Sequence, residues 1–349
     1  DFPRQLDSPR QLDSSRQHNS SRQLDSPRQG VLVRLLPFPW KVGLAPLAGY
    51  NEPAFRMLCR QYGAQWTMQG LVSAEGLSRG RSKSERLLRF FPQERPIFAQ
   101  LFGASPFAMA AAAQQVEAMG FDGLDLNCGC PEKKVLRVGA GAALMADFNK
   151  AEAVVGAVRR SVKLVLTMKI RLGWENQRTF LQFGRMAEDL GLDAIILHPR
   201  TVAQGFSGQA DWDAVGQLKQ AVGIPVVASG DVRDGESYRQ LITRTGCDSV
   251  LIGRSALRRP WVFEESLACA RGEAFQPPAL PDVVLRYLAL LGETEPEEDC
   301  LPLARLHLLQ FLHDLPQAAA LRAKAGGCHR WSALKDLMET QFSGLEENQ

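Results

Sequence analysis

Three features of this chain predict an α/β fold, a (β/α)8 TIM barrel followed by a small all-α C-terminal domain. Eight short apolar runs alternate with amphipathic stretches, the stretches stop at glycines, and after Phe263 the pattern turns to helical periodicity without strands. In order, the strand candidates are VGLAP (42–46), QWTMQ (65–69), IFAQLF (97–102), GLDLN (123–127), VLTMKI (165–170), AIILH (194–198), PVVAS (225–229) and SVLIG (249–253). Between them, PAFRMLCRQYG (53–63), PFAMAAAAQQVEAMG (106–120) and TFLQFGRMAEDLG (179–191) carry the helical period and end at a Gly suited to a left-handed cap. Strands alternating with helices build a parallel sheet, and eight such units between residues 42 and 263 close it. An open doubly wound sheet is the alternative, but the first βα turn lacks the G-x-G-x-x-G that would mark it. The helical tail reads as PDVVLRYLALLGETE (281–295), LPLARLHLLQFLHDLPQAAALRAKA (301–325) and HRWSALKDLMETQF (329–342).

Composition narrows the class. With 349 residues and 45% hydrophobic content, the chain can bury a large core without disulfide staples. Its seven cysteines are odd in number and scattered, which fits a reducing, cytoplasmic setting. No run of 18 apolar residues is present, so neither a membrane span nor an export leader is expected. A net charge of +3 is mild, and any nucleic-acid contact must come from a local patch. Residues 1–36 stand apart: PRQLDS recurs from Pro3 and Pro9, degrades to SRQHNS at Ser15, returns as SRQLDS at Ser21 and ends as PRQG at Pro27. So few apolar residues cannot form a core, and a disordered extension is expected; one Arg per copy offers an RNA-binding arm, but the Asp residues nearly cancel that charge and favour a merely solvated segment. The expected division is therefore 1–36 extension, 37–263 catalytic barrel and 264–349 helical domain.

A barrel collects its chemistry at the C-terminal ends of the strands, with phosphate held after the seventh and eighth. Those ends carry Pro46-Leu47-Ala48, Gln100, Lys169 to Arg171, His198, Ser229-Gly230-Asp231 and Gly253-Arg254. Small residues after strands seven and eight let backbone N–H groups approach a phosphate, and Arg254 adds a charge. The whole set suits FMN better than a sugar phosphate. Lys169 would balance the charge that gathers at the N1–C2=O edge on reduction, and Gln100 would hydrogen-bond the pyrimidine edge. His198 would flank the ring or reach the phosphate.

LDLNCGCPEKK (124–134) admits three readings: a metal clip, a buried pair or an acid on a loop. Zinc needs a second ligand pair, and none follows at suitable spacing, so no metal is expected. Cys128, at the strand end, reads as structural. Cys130, held in a tight turn between Gly129 and Pro131 and followed by Lys133 and Lys134, reads as a thiol that gives up a proton.

Together, LAPLAGYNEPAFRMLCRQYGA, AQLFGASP, GLDLNCGCPEKKVLRVGAGAALM, KIRLGW, HPRTVAQGFSGQADW, VVASGDV and LIGRSALRRPWVF resemble the tRNA-dihydrouridine synthase family, bacterial type, over residues 42 to 263. The resemblance implies an oxidoreductase with FMN as bound cofactor and NADPH as reductant, acting on the C5=C6 bond of a uridine in the tRNA D-loop. It implies hydride delivery from flavin N5 to C6 and protonation of C5 by Cys130 as general acid. Carried over by position, Pro46, Leu47, Ala48, Gln100, Lys169, His198, Ser229, Gly230, Asp231, Gly253 and Arg254 would hold FMN, while Asn127 and Arg171 would meet the uracil. Three departures are visible: Ser229 where the family usually has Asn, Pro199 where it often has Gly, and Gln69-Gly70-Leu71 where it has Thr-Glu-Met. In the tail, Arg286, Arg305, His307, Arg322, Lys324, Arg330 and Lys335 suggest a tRNA-backbone surface. No membrane and no obligate protein partner are expected, and the protein should be a monomer. Rival readings are a flavin barrel acting on free pyrimidines, against which the basic tail and the Gly-Cys-Pro loop argue, and a catalytically silent tRNA binder, against which Cys130 and Lys169 argue.

Overall fold

Eight parallel strands pair in chain order, and the eighth pairs with the first, closing the barrel. The computed structural model describes residues 39–313 and 318–346, so the repeats of 1–36 lie outside it. The first half runs β1 Val42–Leu44, α1 Pro53–Gln61, β2 Trp66–Ser73, two short helices α2 Ala74–Ser78 and α3 Ser82–Leu87, β3 Ile97–Phe102, α4 Pro106–Ala118 and β4 Gly123–Asn127. It continues with the short α5 Lys133–Leu136, α6 Phe148–Ser161, β5 Val165–Arg171, α7 Phe180–Asp189, β6 Ala194–His198, α8 Trp212–Ala221, β7 Val226–Ser229, α9 Gly235–Thr245 and β8 Ser249–Ile252. After α10 Arg254–Arg258 and α11 Val262–Ala270 come the tail helices α12 Leu280–Thr294, α13 Glu297–Phe311, α14 Ala318–Gly327 and α15 Trp331–Glu346.

All eight expected strands are present, and the α/β barrel with a helical tail is the fold. The glycines expected to stop helices do so: Gly63, Gly120 and Gly191 have φ of 91°, 81° and 71°. Helix starts are capped by side chains whose oxygens satisfy free N–H groups. Ser105 accepts from Ala108 N, Asp147 from Lys150 N and Asp234 from Ser237 N.

Two boundaries differ from the sequence reading. β2 runs to Ser73 because its register with β3 shifts between Met68 and Leu71, so the Gln69-Gly70-Leu71 departure sits inside the strand at an irregularity rather than after it. The tail stretch 301–325 is two helices, α13 and α14, rather than one, because helical structure lapses at Leu312 and His313.

Side chains alternate across each strand, and the inward column changes character along the barrel. At the N-terminal end, Trp66, Met68, Phe98, Ala194, Ile196, Val227 and Leu251 form an apolar plug closed by Trp40. The plug needs Gly123, because a Cβ there would lie 2.3 Å from the Phe98 ring. Two residues further along the same strands come Gln100, Asp125, Lys169, His198, Ser229 and Gly253. Apolar filling thus gives way to polar groups in one pleat step, and the mouth is where the chemistry must sit.

Candidate active site

β3, β4 and β5 converge on a buried polar layer. Asp125 is fully buried, and its two oxygens accept from Thr167 Oγ1 at 2.6 Å and Gln100 Nε2 at 2.8 Å. Gln100 Oε1 accepts from Asn127 Nδ2 at 3.0 Å. Asn127 Oδ1 in turn accepts from the backbone N–H groups of Cys130 at 2.9 Å and Gly129 at 3.2 Å. Both polar ends of Gln100 are thus committed to the protein interior, and the Asn127 carbonyl is committed to the cysteine loop.

That loop is pinned from three directions. Asn127 holds its amides from below. Arg171 Nε donates to Gly129 O at 2.9 Å, and Ala142 N donates to Cys130 O at 3.0 Å. Gly141 makes the last approach possible: its φ is +61°, and a Cβ there would lie 2.8 Å from Cys130 O. Cys130 itself is part-exposed, whereas Cys128 is buried, and both are free thiols. Burial, with the Glu132 carboxylate adding, raises the Cys130 pKa above its ordinary 9.0 despite nearby Arg171 and Lys169. The thiol therefore keeps its proton at neutral pH, as a proton donor must. Burial pushes Cys128 much further up.

Lys169 lies on the inward face of β5, where burial and the Arg171 charge push its pKa down from 10.5 to about 8. Its ammonium donates no hydrogen bond among the described residues, although the side chain retains an opening to the mouth. Burial likewise lowers Arg171 to about 10, leaving it charged; its Nη1 reaches Thr201 O at 3.1 Å and Gly205 O at 2.8 Å. His198 is driven far below its ordinary 6.5, first by burial and then by Lys169, Arg171, Arg200 and Arg254. It is a neutral imidazole, and Arg200 Nη1 lies 3.2 Å from its Nε2, so Nε2 accepts and Nδ1 carries the hydrogen.

Besides Asp125 below Lys169, a second acid meets this cluster from the end of β7. Asp231, at φ 59° after Gly230, accepts from Arg200 Nη2 at 2.6 and 2.8 Å and from Ala210 N at 2.7 Å, and lies 3.7 Å from Arg254 Nη2. A short polar side chain tolerates that left-handed backbone. The exposed Arg254 and the buried Arg171 also flank the ring of the exposed Phe206, at 4.6 and 5.6 Å. The loop after β1 meets the end of β8 and the middle of β2: a Cβ on Gly253 would lie 3.4 Å from Leu47 Cδ2, and one on Gly70 would lie 3.9 Å from Leu47 O, an ordinary contact. Pro46, Leu47 and the exposed Ala48 form this rim.

The residues proposed from sequence therefore gather at one mouth. Asp125, Thr167, Arg200 and Phe206 belong to the same constellation and were not singled out as site residues by the sequence reading. Asp125 had a signal: it alternates with Asn127 on one strand face, where an acid is costly unless it is used. In the tail, His307 is corrected. It is fully buried, not part of a surface, because the rings of Tyr50, Phe55, Tyr287 and Phe311 enclose it and its Nε2 meets Glu52. Arg305 caps the backbone oxygens of Ala325, Gly326 and Cys328, while Arg286, Lys324 and Arg330 are exposed.

Residues 43–343 match the sequence model of a family described as Dihydrouridine synthase. The chain is 37% identical over 300 residues to tRNA-dihydrouridine synthase B of Pseudomonas aeruginosa, covering 84% of this chain and 90% of that protein. It is 37% identical over 298 residues to a probable tRNA-dihydrouridine synthase of Mycobacterium tuberculosis, covering 80% and 77%. Among solved structures, 2-naphthoyl-CoA reductase superposes with a TM-score of 0.52 over 67% of this chain and 50% of that one, and at 10% identity the likeness is one of fold alone.

Proposed function

Since this chain belongs to the dihydrouridine synthase family, we propose that it reduces the C5=C6 bond of a uridine in the D-loop of tRNA, with FMN as bound cofactor and NADPH as reductant. Membership makes it a flavin-dependent oxidoreductase acting on CH–CH bonds. The observation that carries the finer reading is a part-exposed Cys130 thiol, its pKa raised above the ordinary value, on a pinned loop beside the half-buried cation Lys169.

The mouth fits FMN by its donor set. Lys169 is a largely enclosed cation without a hydrogen-bond acceptor among the described residues, an expensive arrangement unless an anionic or accepting group completes it. Arg254 with Gly253, Ser229 and Gly230 would take the phosphate, and Pro46 to Ala48 would line one side of the ring. Gln100 would act by holding Asn127, since its own polar ends are turned inward. Asp231 would hold Arg200, and through it His198. Held by these residues, FMN would supply the hydride chemistry between NADPH and C6 of the uracil.

The protein's own groups do the rest. Cys130 delivers a proton to C5 as negative charge builds toward O4, a role that contributes about 10²–10⁴-fold. Arg171 and Lys169 supply positive potential toward that charge, and the uracil would meet Arg171 and Asn127 beside the loop. Lys133, Lys134 and Arg137, exposed just after Cys130, offer phosphate contacts, as do the exposed basic residues of the tail. The uracil must leave the base stack to enter, which costs a few kcal/mol and favours loops.

The test is to incubate the protein with NADPH and unmodified tRNA transcript and map dihydrouridine by position. One modified D-loop uridine is expected; NADPH-reducible FMN with no product would overturn the tRNA reading. Cys130→Ala should cut product formation about 10²–10⁴-fold while sparing flavin reduction. Cys128→Ala should retain most of the product, and equal losses would remove Cys130 from its role.

A further inference from the structure

We infer that Asp125 is a positioning residue: as the acceptor-only end of a hydrogen-bond chain running from the barrel interior to the Cys130 loop, it completes the one amide orientation that the loop's N–H donors allow and so holds the thiol in place. That Cys130 is the proton donor rests on the function proposed above; the chain itself does not.

The chain has four links and one direction. Cys130 N–H and Gly129 N–H donate to Asn127 Oδ1, Asn127 Nδ2 donates to Gln100 Oε1, and Gln100 Nε2 donates to Asp125 Oδ2. A primary amide has a donor end and an acceptor end, so Asn127 and Gln100 can each sit either way round. A backbone N–H can only donate, and an ionised carboxylate can only accept. Fixed donors at one end and a fixed acceptor at the other leave a single orientation for the two amides between them that satisfies every link. Turning either amide sets donor against donor or acceptor against acceptor at residues that water does not reach, since Asp125, Gln100 and Asn127 are 0%, 1% and 9% exposed.

The consequence reaches the loop. If Asn127 turns, its Nδ2 faces two N–H groups, and the support beneath Cys130 is lost, leaving Arg171 and Ala142 to hold the loop from the sides. The carboxylate is itself steadied by Thr167 Oγ1, a contact that takes no part in the chain's direction.

Three variants in the full-length protein separate the possibilities. Asp125→Leu removes both charge and acceptor. Asp125→Asn removes the charge alike, yet keeps an acceptor toward Gln100, because its amide nitrogen can face Thr167, whose hydroxyl can accept. Thr167→Val removes the donor to the other carboxylate oxygen and leaves the link from Gln100 to Asp125 in place. The first readout is amide hydrogen exchange at Gly129 and Cys130, with about tenfold faster exchange expected in Asp125→Leu and little change in the other two. The second is dihydrouridine formation, expected to fall about tenfold in Asp125→Leu and to be rescued in Asp125→Asn.

Loss in Asp125→Asn equal to that in Asp125→Leu would overturn the inference in favour of a charge effect, and equal loss in Thr167→Val would reduce the role to packing. Should Asp125→Leu fail to fold, Gln100→Met breaks the chain one link further on, and unchanged exchange at Gly129 and Cys130 there would equally overturn it. The two readouts distinguish the levels. Altered exchange in a wild-type background that makes no dihydrouridine leaves the chain standing and removes the proposed function; active wild type with unaltered exchange in every variant does the reverse.

Discussion

Lys169 and Asp125 titrate in opposite senses, which makes the mouth sensitive to pH. Burial, and then Arg171, lowers the Lys169 pKa to about 8, so a flavin relying on that charge should bind more weakly as pH rises above about 8. Fluorescence titration with FMN at pH 6.5 and 9.5 should show the loss, and equal affinity would take Lys169 out of flavin binding. Unfolding is not a confounding cause through this group. Between about 8 and 10.5 the unfolded chain keeps a proton that the folded one has released, so Lys169 makes the flavin-free protein more stable as pH rises there. Asp125 acts lower on the scale: burial raises its pKa from 3.8 to about 6, so its contribution to stability declines as pH climbs through that interval. At this scale, Cys130 and Lys169 were readable as residue types at strand ends. Their protonation states were not, because these depend on burial and on charges from β4, the loop after it and β5.

Around α1 the element scale shows how polar groups set the rim. Arg56 on α1 is buried and pairs with the buried Glu94, while also donating to Asn51 O and to Arg89 O. Asn51 Nδ2 then bridges Ala45 O after β1 and Met68 O in β2, fixing the two strands where the irregular register begins. Glu94→Leu should leave the Arg56 charge buried and unpaired and cost about 3–5 kcal/mol, read as a shift in urea unfolding. The double variant Arg56→Met with Glu94→Leu should recover much of that loss, and a purely additive result would contradict the pairing. Helix and strand periods made these elements legible, as did the glycine stops. The register shift in β2 carried no pattern of its own, so that strand ended too early in the sequence reading.

Across the whole molecule, the helical tail is tied to the barrel through Glu52 at the start of α1. Tyr287 Oη donates to it at 2.9 Å and His307 Nε2 meets it at 3.1 Å, while Arg89 and Arg86 pair with Glu295 and Asp299. If the tail orients the tRNA, Tyr287→Phe should raise the KM for tRNA while leaving FMN affinity unchanged, at a stability cost of about 1–3 kcal/mol for the lost donor to the Glu52 carboxylate, which keeps His307. Equal changes in both constants would assign the contact to stability alone. The sequence by itself determined the barrel, the helical tail, the polar mouth and the cysteine that faces it, because alternation along a strand and helical period are local properties that repeat. Tertiary structure alone decided that His307 is enclosed rather than exposed, that Gln100 turns inward, and that Asp125 sits at the head of a chain leading to Cys130. Those outcomes rest on partners as much as 255 residues apart, and contacts at that separation leave no periodic trace.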